Sequence, residues 1–527
     1  MGYLISAALV TFFAWIISKI WQILLTVLWR PYALTRYFRK QGITGPPYSL
    51  FSGSLPEIRR TKKEARGMVM DTYSNDIAAR VIPYYHTWSS LYGDFSTLLF
   101  LSLLTRGDFS VLVWNNPKGI HFCPELAKQV LSNKSGFYRK PETVSSTKAL
   151  IGEEGLILRD GSEWAKHRRI LNPAFSMDKL KVMIKRMAAC TISMLDEWER
   201  EASEAKYKKI QMDEQFRELT ADIIAHTAFG SSFVQGREAF NAQRELLKQS
   251  ATLNAYVFIP GSQYLPTPSN LKTWKLDRKI RKTLKQIIES RLHYLSTKDE
   301  IDWSFGDDLL GVMIEAGPKW NMKEILDECK TFFVAGHETT SNWLTWTVFL
   351  LSVHSEWQEK LREEVLQNCG MEIPNADMLS KLKLLNMVLL EALRLYGPVL
   401  TLLRETSQDI KLGNLSIPKN TGITIAVAMI HWSTKYWGED ANTFNPLRFI
   451  DGVSKAAKHP NALLAFSTGP RVCIGQNFAT LEAKTVMTLI LQRFSLSLSS
   501  NYQHAPVENL TLQPQYGLPI IVKPLHV

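Results

Sequence analysis

Apolar residues in this chain gather into long runs at helical spacing. The stretch from about Met322 to His354 is a long apolar helix candidate. A second apolar stretch of helical character, Met387 to Tyr396, stops at Gly397-Pro398, residues that end a helix. A third, Phe478 to Leu489, also suits a helix, whereas Val111-Leu-Val-Trp114 is short, apolar and β-branched and predicts a strand. No internal repeat and no long Gly/Ser linker divides the chain, so residues 51–527 read as one large, mostly helical catalytic domain.

The run from Tyr3 to Trp29 is apolar and aromatic with Lys19 its only charge, and predicts a transmembrane anchor over residues 1–29. It lacks the basic start, short apolar core and small-residue cleavage site of a secretory signal. Arg30, Arg36, Arg39 and Lys40 follow, placing the domain on the cytosolic side of the membrane. Residues 30–50, with Gly45-Pro46-Pro47, read as a basic, stiff hinge between anchor and domain. The sequons at Asn133, Asn414 and Asn509 are then expected to stay bare.

One stretch breaks the pattern. Gly93-Asp-Phe-Ser96 recurs as Gly107-Asp-Phe-Ser110, with the apolar run Thr97 to Arg106 between the two copies. Residues 94–107 therefore read as an insertion or a misread exon boundary, one that would add a second apolar patch.

Composition narrows the functional classes. Hydrophobic residues at 45% and aromatics at 11% suffice for a buried core and an apolar cavity. Five cysteines, Cys123, Cys190, Cys329, Cys369 and Cys473, show no paired spacing, which points to a reducing compartment. A net charge of +12 would suit nucleic acid, but the basic residues are scattered and form no aromatic-basic module, so no nucleic-acid partner is expected. Anionic lipid headgroups and an acidic redox partner fit that charge better. No Gly-rich dinucleotide or phosphate loop occurs, so any electrons must come from another protein.

The chemistry concentrates in Phe466-Ser-Thr-Gly-Pro-Arg-Val-Cys-Ile-Gly475. A cysteine ligates iron as thiolate, and here Gly469 and Gly475 permit a tight turn, Arg471 supplies positive charge, and the helix that follows turns its N-terminus toward Cys473. The plainer alternative is a structural cysteine in a glycine-containing loop.

Phe466, Gly469, Arg471, Cys473 and Gly475 fill each fixed position of the F-x-x-G-x-R-x-C-x-G signature, and on them the chain resembles the cytochrome P450 superfamily. Three further segments agree. Glu391-Ala-Leu-Arg394 is similar to the family's E-x-x-R pair, with Arg448 of Pro446-Leu-Arg-Phe449 as its second arginine. Ala335-Gly-His-Glu-Thr-Thr340 resembles the oxygen-activating helix, with Gly336 expected to loosen the helix and His337 a packing or pocket-edge residue. Trp164 and Arg168, at i and i+4, resemble the haem-propionate clamp, and Arg404 falls where relatives place another propionate arginine.

The resemblance implies a mainly α fold with a large helical domain, a small β-rich lobe and an N-terminal transmembrane helix. It implies haem b (iron protoporphyrin IX) on Cys473, held also by Arg471, Trp164, Arg168, Arg404, Phe466 and Gly475. Glu338 and Thr339 are the implied proton relay, Glu391, Arg394 and Arg448 the structural cluster, and Ala335, Val399 and Leu400 pocket-lining residues. The implied partners are the membrane-bound NADPH-cytochrome P450 reductase, with cytochrome b5 as a second donor, a hydrophobic small molecule and membrane lipid, at the endoplasmic reticulum. Gln41 to Pro47, His167 to Phe175 and Gly475 to Ala479 look most like the plant seventy-two clan, whose members oxidise terpenoids, hormones and fatty acids. The expected reaction is C–H hydroxylation; a reductase-independent isomerase or dehydratase and a catalytically silent haem protein are the alternatives.

Overall fold

The computed structural model describes residues 2–43, 46, 54–92, 100–102, 111–112, 124–205, 207–230, 233–253, 262–296, 308–317 and 320–525. Gly45 and Pro47 of the elbow, Cys123, both Gly-Asp-Phe-Ser copies and most of the apolar run between them fall outside these residues.

Nine long helices carry the argument. They are α1 (Gly2–Leu24), α2 (Gly161–Leu171), α3 (Met177–Ala205), α4 (Met212–Ala228), α5 (Phe233–Leu253), α6 (Pro268–Ser296), α7 (Met322–Val353), α8 (Lys383–Tyr396) and α9 (Gln476–Arg493). The expected mainly α architecture is present. Helix α7 starts at a capping box in which Asn321 accepts from the Glu324 N–H and Glu324 accepts from the Asn321 N–H. Its 32 residues run unbroken, about 48 Å at the usual rise, and are buried on nearly every side.

Gly336 serves α7 differently from the expected loosening. A Cβ there would sit 2.7 Å from Ile224 Cδ1 of α4, so the glycine lets two helices approach. The helix stays regular through it.

The β-rich part comprises four small sheets built from β1 (Phe100–Ser102), β2 (Val111–Leu112), β3 (Tyr138–Arg139), β4 (Lys208–Gln211), β5 (Thr401–Thr406), β6 (Ile410–Leu412), β7 (Leu415–Ile417), β8 (Gly422–Ala426), β9 (Phe494–Leu498), β10 (Pro506–Asn509), β11 (Thr511–Pro514) and β12 (Pro519–Pro524). The largest has the order β2-β1-β8-β5-β3. Val111 and Leu112 do form a strand, but at the sheet edge. Phe100–Ser102, from the supposed insertion, lies between them and β8, so part of the extra segment is built into the sheet.

At the N-terminus, α1 passes through a π-helical turn, Leu25–Trp29, into a helix over Arg30–Arg39. That helix buries Leu34 and Phe38, and Arg30 Nη2 donates to the Asn420 carbonyl at 2.7 Å. Gln41 exchanges two hydrogen bonds with the Ser416 backbone. Residues 30–43 are thus docked on the domain where the basic pattern suggested a hinge. Among the described residues no helix is long and apolar enough to cross a membrane, so the expected transmembrane span is not found. Helix α1 nonetheless turns Ile5, Val10, Phe13, Trp15, Ile17 and Trp21 outward.

Candidate active site

Cys473 sits between the end of an irregular loop and the first turn of α9. The loop closes on itself: the Cys473 N–H donates to the Phe466 carbonyl at 3.0 Å and the Val472 N–H to the Gly469 carbonyl at 3.0 Å. Gly469 has φ +77°, and a Cβ there would lie 2.5 Å from the Leu131 carbonyl oxygen, so this position requires glycine. Gly475 has ordinary backbone angles (φ −89°) and contributes otherwise. As N-cap of α9 it directs its N–H at the Cys473 sulfur, and a Cβ there would make only an ordinary contact with that sulfur at 4.0 Å.

Burial pushes the Cys473 thiol up, against the Gly475 N–H and the Arg168 charge, which both favour the thiolate. Cys473 is also exposed as a residue. Phe466 braces the loop by packing edge-on against Trp343 of α7 at 5.9 Å.

Arg168 lies beside the cysteine loop. Its Nη1 donates to the Val472 carbonyl at 2.9 Å and its Nε to Asn172 at 2.9 Å, so it holds the cysteine loop itself. Trp164, one turn earlier on α2, is half-buried and lies under the Arg471 guanidinium at 4.7 Å. Arg471 donates to Asp160 Oδ1 at 2.6 Å and to the Arg159 carbonyl at 2.5 Å.

Arg404 is buried beside this pair. Burial first, then the neighbouring Arg471, lowers its pKa to about 10. Sequence reasoning missed a third cation, Lys140, which burial together with Arg404 and Arg471 drives down to about 7. Among the described residues, Asp160 is the acidic group that opposes all three. The cluster carries excess positive charge in a dry place, and the two propionates of a haem would neutralise it. Residues and group fit: Cys473 would hold the iron through its sulfur, and Arg404, Arg471 and Lys140 would meet the carboxylates.

The E-x-x-R cluster is assembled in full. Glu391 and Arg394 are wholly buried, joined by hydrogen bonds of 2.7 and 2.8 Å. Arg448 Nε reaches Glu391 Oε1 at 3.1 Å, and Arg394 Nη1 also donates to the His431 and Ala441 carbonyls. Leu447 points outward, and Asp440 supplies the carboxylate that holds the far side of Arg448 at 2.9 Å.

On α7, Thr339 Oγ1 donates back to the Ala335 carbonyl at 2.7 Å. Glu338 is buried, and its Oε1 accepts from Thr511 at 2.9 Å, Gln513 at 2.5 Å and Asn342 at 3.2 Å. It also lines a cavity of about 840 Å³ with Arg217, Arg244, Lys248 and Gln513. His337 is a packing residue: buried, set edge-on to Phe240 at 5.3 Å, with its pKa lowered by burial. Ala335 and Val399 are half-buried, whereas Leu400 belongs to the main core.

A sequence model of the cytochrome P450 family matches residues 109–521. Among characterised proteins, cytochrome P450 709B1 of Arabidopsis thaliana is 49% identical over all of both chains. Cytochrome P450 734A1 of Arabidopsis thaliana is 41% identical over 94% of this chain and 93% of its own. Secologanin synthase 1 of Catharanthus roseus is 37% identical over 99% and 98%. A solved structure titled retinoic acid bound cyanobacterial CYP120A1 superposes with a TM-score of 0.66 at 25% identity, covering 76% of this chain and 88% of that one. Near-complete alignments, the matched family and an assembled cysteine seat lead to one conclusion: the chain belongs to the cytochrome P450 family of haem monooxygenases.

Proposed function

We propose that this P450 hydroxylates an apolar small molecule of terpenoid, hormone-like or fatty-acid character, using electrons from the NADPH-dependent reductase. The observation that carries this reading is Thr339, half-buried with its hydroxyl bonded back to the Ala335 carbonyl, next to the buried carboxyl of Glu338 on α7 of a chain that also builds the cysteine seat. Haem bound at Cys473 supplies dioxygen activation for insertion of one oxygen atom into a C–H bond.

The chain's own groups do the rest. The Gly475 N–H, the α9 N-terminus and Arg168 stabilise negative charge on Cys473 Sγ. Thr339 spends its proton on the Ala335 carbonyl, so its oxygen lone pairs are left to hold a water at the reacting centre. Glu338 is anchored through Oε1, and the cavity it lines offers water a path to it, so a proton can be taken up at its carboxylate and passed on toward Thr339. Half-buried Thr401, Leu402 and Leu403 with Val399 offer apolar contact to a substrate. That one structural neighbour holds retinoic acid and one relative is named for secologanin supports a small organic substrate.

The outward apolar side chains of α1 support a seat in a membrane, and the basic residues after it support a cytosolic domain at the endoplasmic reticulum. The test is turnover in microsomes with and without NADPH and reductase, over a panel of the three substrate classes. The expected result is a product one oxygen heavier that requires both. In Thr339→Ala, NADPH consumption should continue while product gives way to peroxide. Rearranged hydroperoxide formed without reductase would favour the isomerase alternative instead.

A further inference from the structure

Away from Cys473, α3 and α4 bring together three side chains with metal-binding chemistry. Asp222 and His226 stand one turn apart on α4 and share a face, and Cys190 meets them from α3. His226 Nδ1 lies 3.1 Å from Asp222 Oδ1, 3.8 Å from Cys190 Sγ and 3.0 Å from the Asp222 carbonyl oxygen. One ligand atom from each residue lies within 4.8 Å of the other two, and all three residues are half-buried. A tetrahedral ion with bonds of about 2.3 Å to sulfur and about 2.1 Å to nitrogen and oxygen sets its ligands roughly 3.3–3.6 Å apart. The observed spacings bracket that range.

A second observation points the same way. Glu482 of α9 is wholly buried, and neither of its carboxyl oxygens closes a hydrogen bond. It lies close enough to act electrostatically on Cys190, and the Thr340 hydroxyl of α7 is the one group that favours its ionised form. A buried carboxyl without a partner signals a missing proton or cation. Burial raises both Glu482 and the Cys190 thiol.

We infer that Cys190, Asp222 and His226 form a site for a divalent transition metal, with zinc the best match. Thiolate, imidazole and carboxylate together are a zinc donor set, with a fourth position left for water. On binding, the thiol proton leaves to solvent and the imidazole proton resides on Nε2, freeing the Nδ1 lone pair for the ion. The ion ties α3 to α4 beside α9, the helix that begins at the cysteine seat. Its effect is therefore on stability, separate from the oxygen chemistry.

The test uses the full-length haem protein, treated with a chelator, supplied with zinc alone and desalted. Zinc per chain is measured by elemental analysis, and alkylation of Cys190 by iodoacetamide is followed by peptide mapping. The inference expects one zinc per chain, its loss in Cys190→Ser and in His226→Ala, and zinc slowing Cys190 alkylation by about tenfold or more in the unaltered protein. The carbon monoxide spectrum reports whether each variant is folded, and the alkylation arm decides the matter if one is not. No retained zinc, or alkylation indifferent to zinc, overturns the inference. So does zinc that survives both substitutions, which would place it at Glu163, His167 and Glu324, the other such cluster among the described residues.

Discussion

Glu391→Gln isolates charge from shape in the buried arginine cluster. The substitution preserves volume, so no cavity forms, but it removes the only carboxylate bonded to Arg394. Arg394 keeps the carbonyls of His431 and Ala441, and Arg448 keeps Asp440. Breaking a buried ion pair from one side costs about 3–5 kcal/mol, and the retained carbonyls place this case near 3 kcal/mol. Unfolding entropy of about 2.1 cal/mol/K per residue gives about 1.1 kcal/mol/K for 527 residues, so the midpoint should fall by about 3 °C. The assay is loss of the carbon monoxide band on heating at one fixed scan rate, because unfolding of so large a haem protein need not be reversible. Asp440→Asn, on the half-exposed side of Arg448, should cost less. A midpoint change under about 1 °C for Glu391→Gln, or a larger one for Asp440→Asn, would refute the reasoning.

The cation cluster and the buried histidines make two further predictions. Arg404→Leu and Lys140→Met each remove a charged contact worth about 1.5–3 kcal/mol, so haem transfer to an acceptor globin should speed by roughly 10- to 100-fold; unchanged rates would exclude these residues as propionate ligands. Burial, with Arg394 beside one and Arg80 beside the other, lowers His431 to about 3 and His504 to about 4. Lowered histidines leave the folded state binding fewer protons, so stability is full above about pH 6.5 and is lost as pH falls toward those values, at up to about 2.7 kcal/mol per pH unit for the pair. Urea midpoints between pH 7 and pH 5 should fall accordingly, and a flat profile would show that the two histidines are not buried as described.

The cysteine loop and the Glu391 helix were legible because their chemistry is written in contiguous residues. A glycine at φ +77° and a cysteine at a helix start leave local marks that survive without a structure. What was hidden depends on distant segments meeting. Lys140 lies in the β3 strand region, far in sequence from Arg404 and Arg471, and nothing near it in sequence announces a buried cation. The reach of Arg168 to the Val472 carbonyl depends on how α2 docks on the loop, which spacing alone does not show. Gly336 suggested a loosened helix because a glycine is locally permissive, whereas its use comes from Ile224 on another helix. Asp440 completes the hold on Arg448 from a different turn, which the Pro446-Leu-Arg-Phe449 segment alone does not announce. The basic run after Trp29 read as a hinge because its burial against β7 and Asn420 is tertiary.

The central claim is that Cys473 is the axial ligand of a haem, and the reduced, carbon monoxide-bound difference spectrum tests it most directly. The protein should show a band at about 450 nm that Cys473→Ala abolishes, while Cys190→Ser retains it. A band at the shorter wavelength of a neutral-ligand haem, or one that persists without Cys473, would contradict the account.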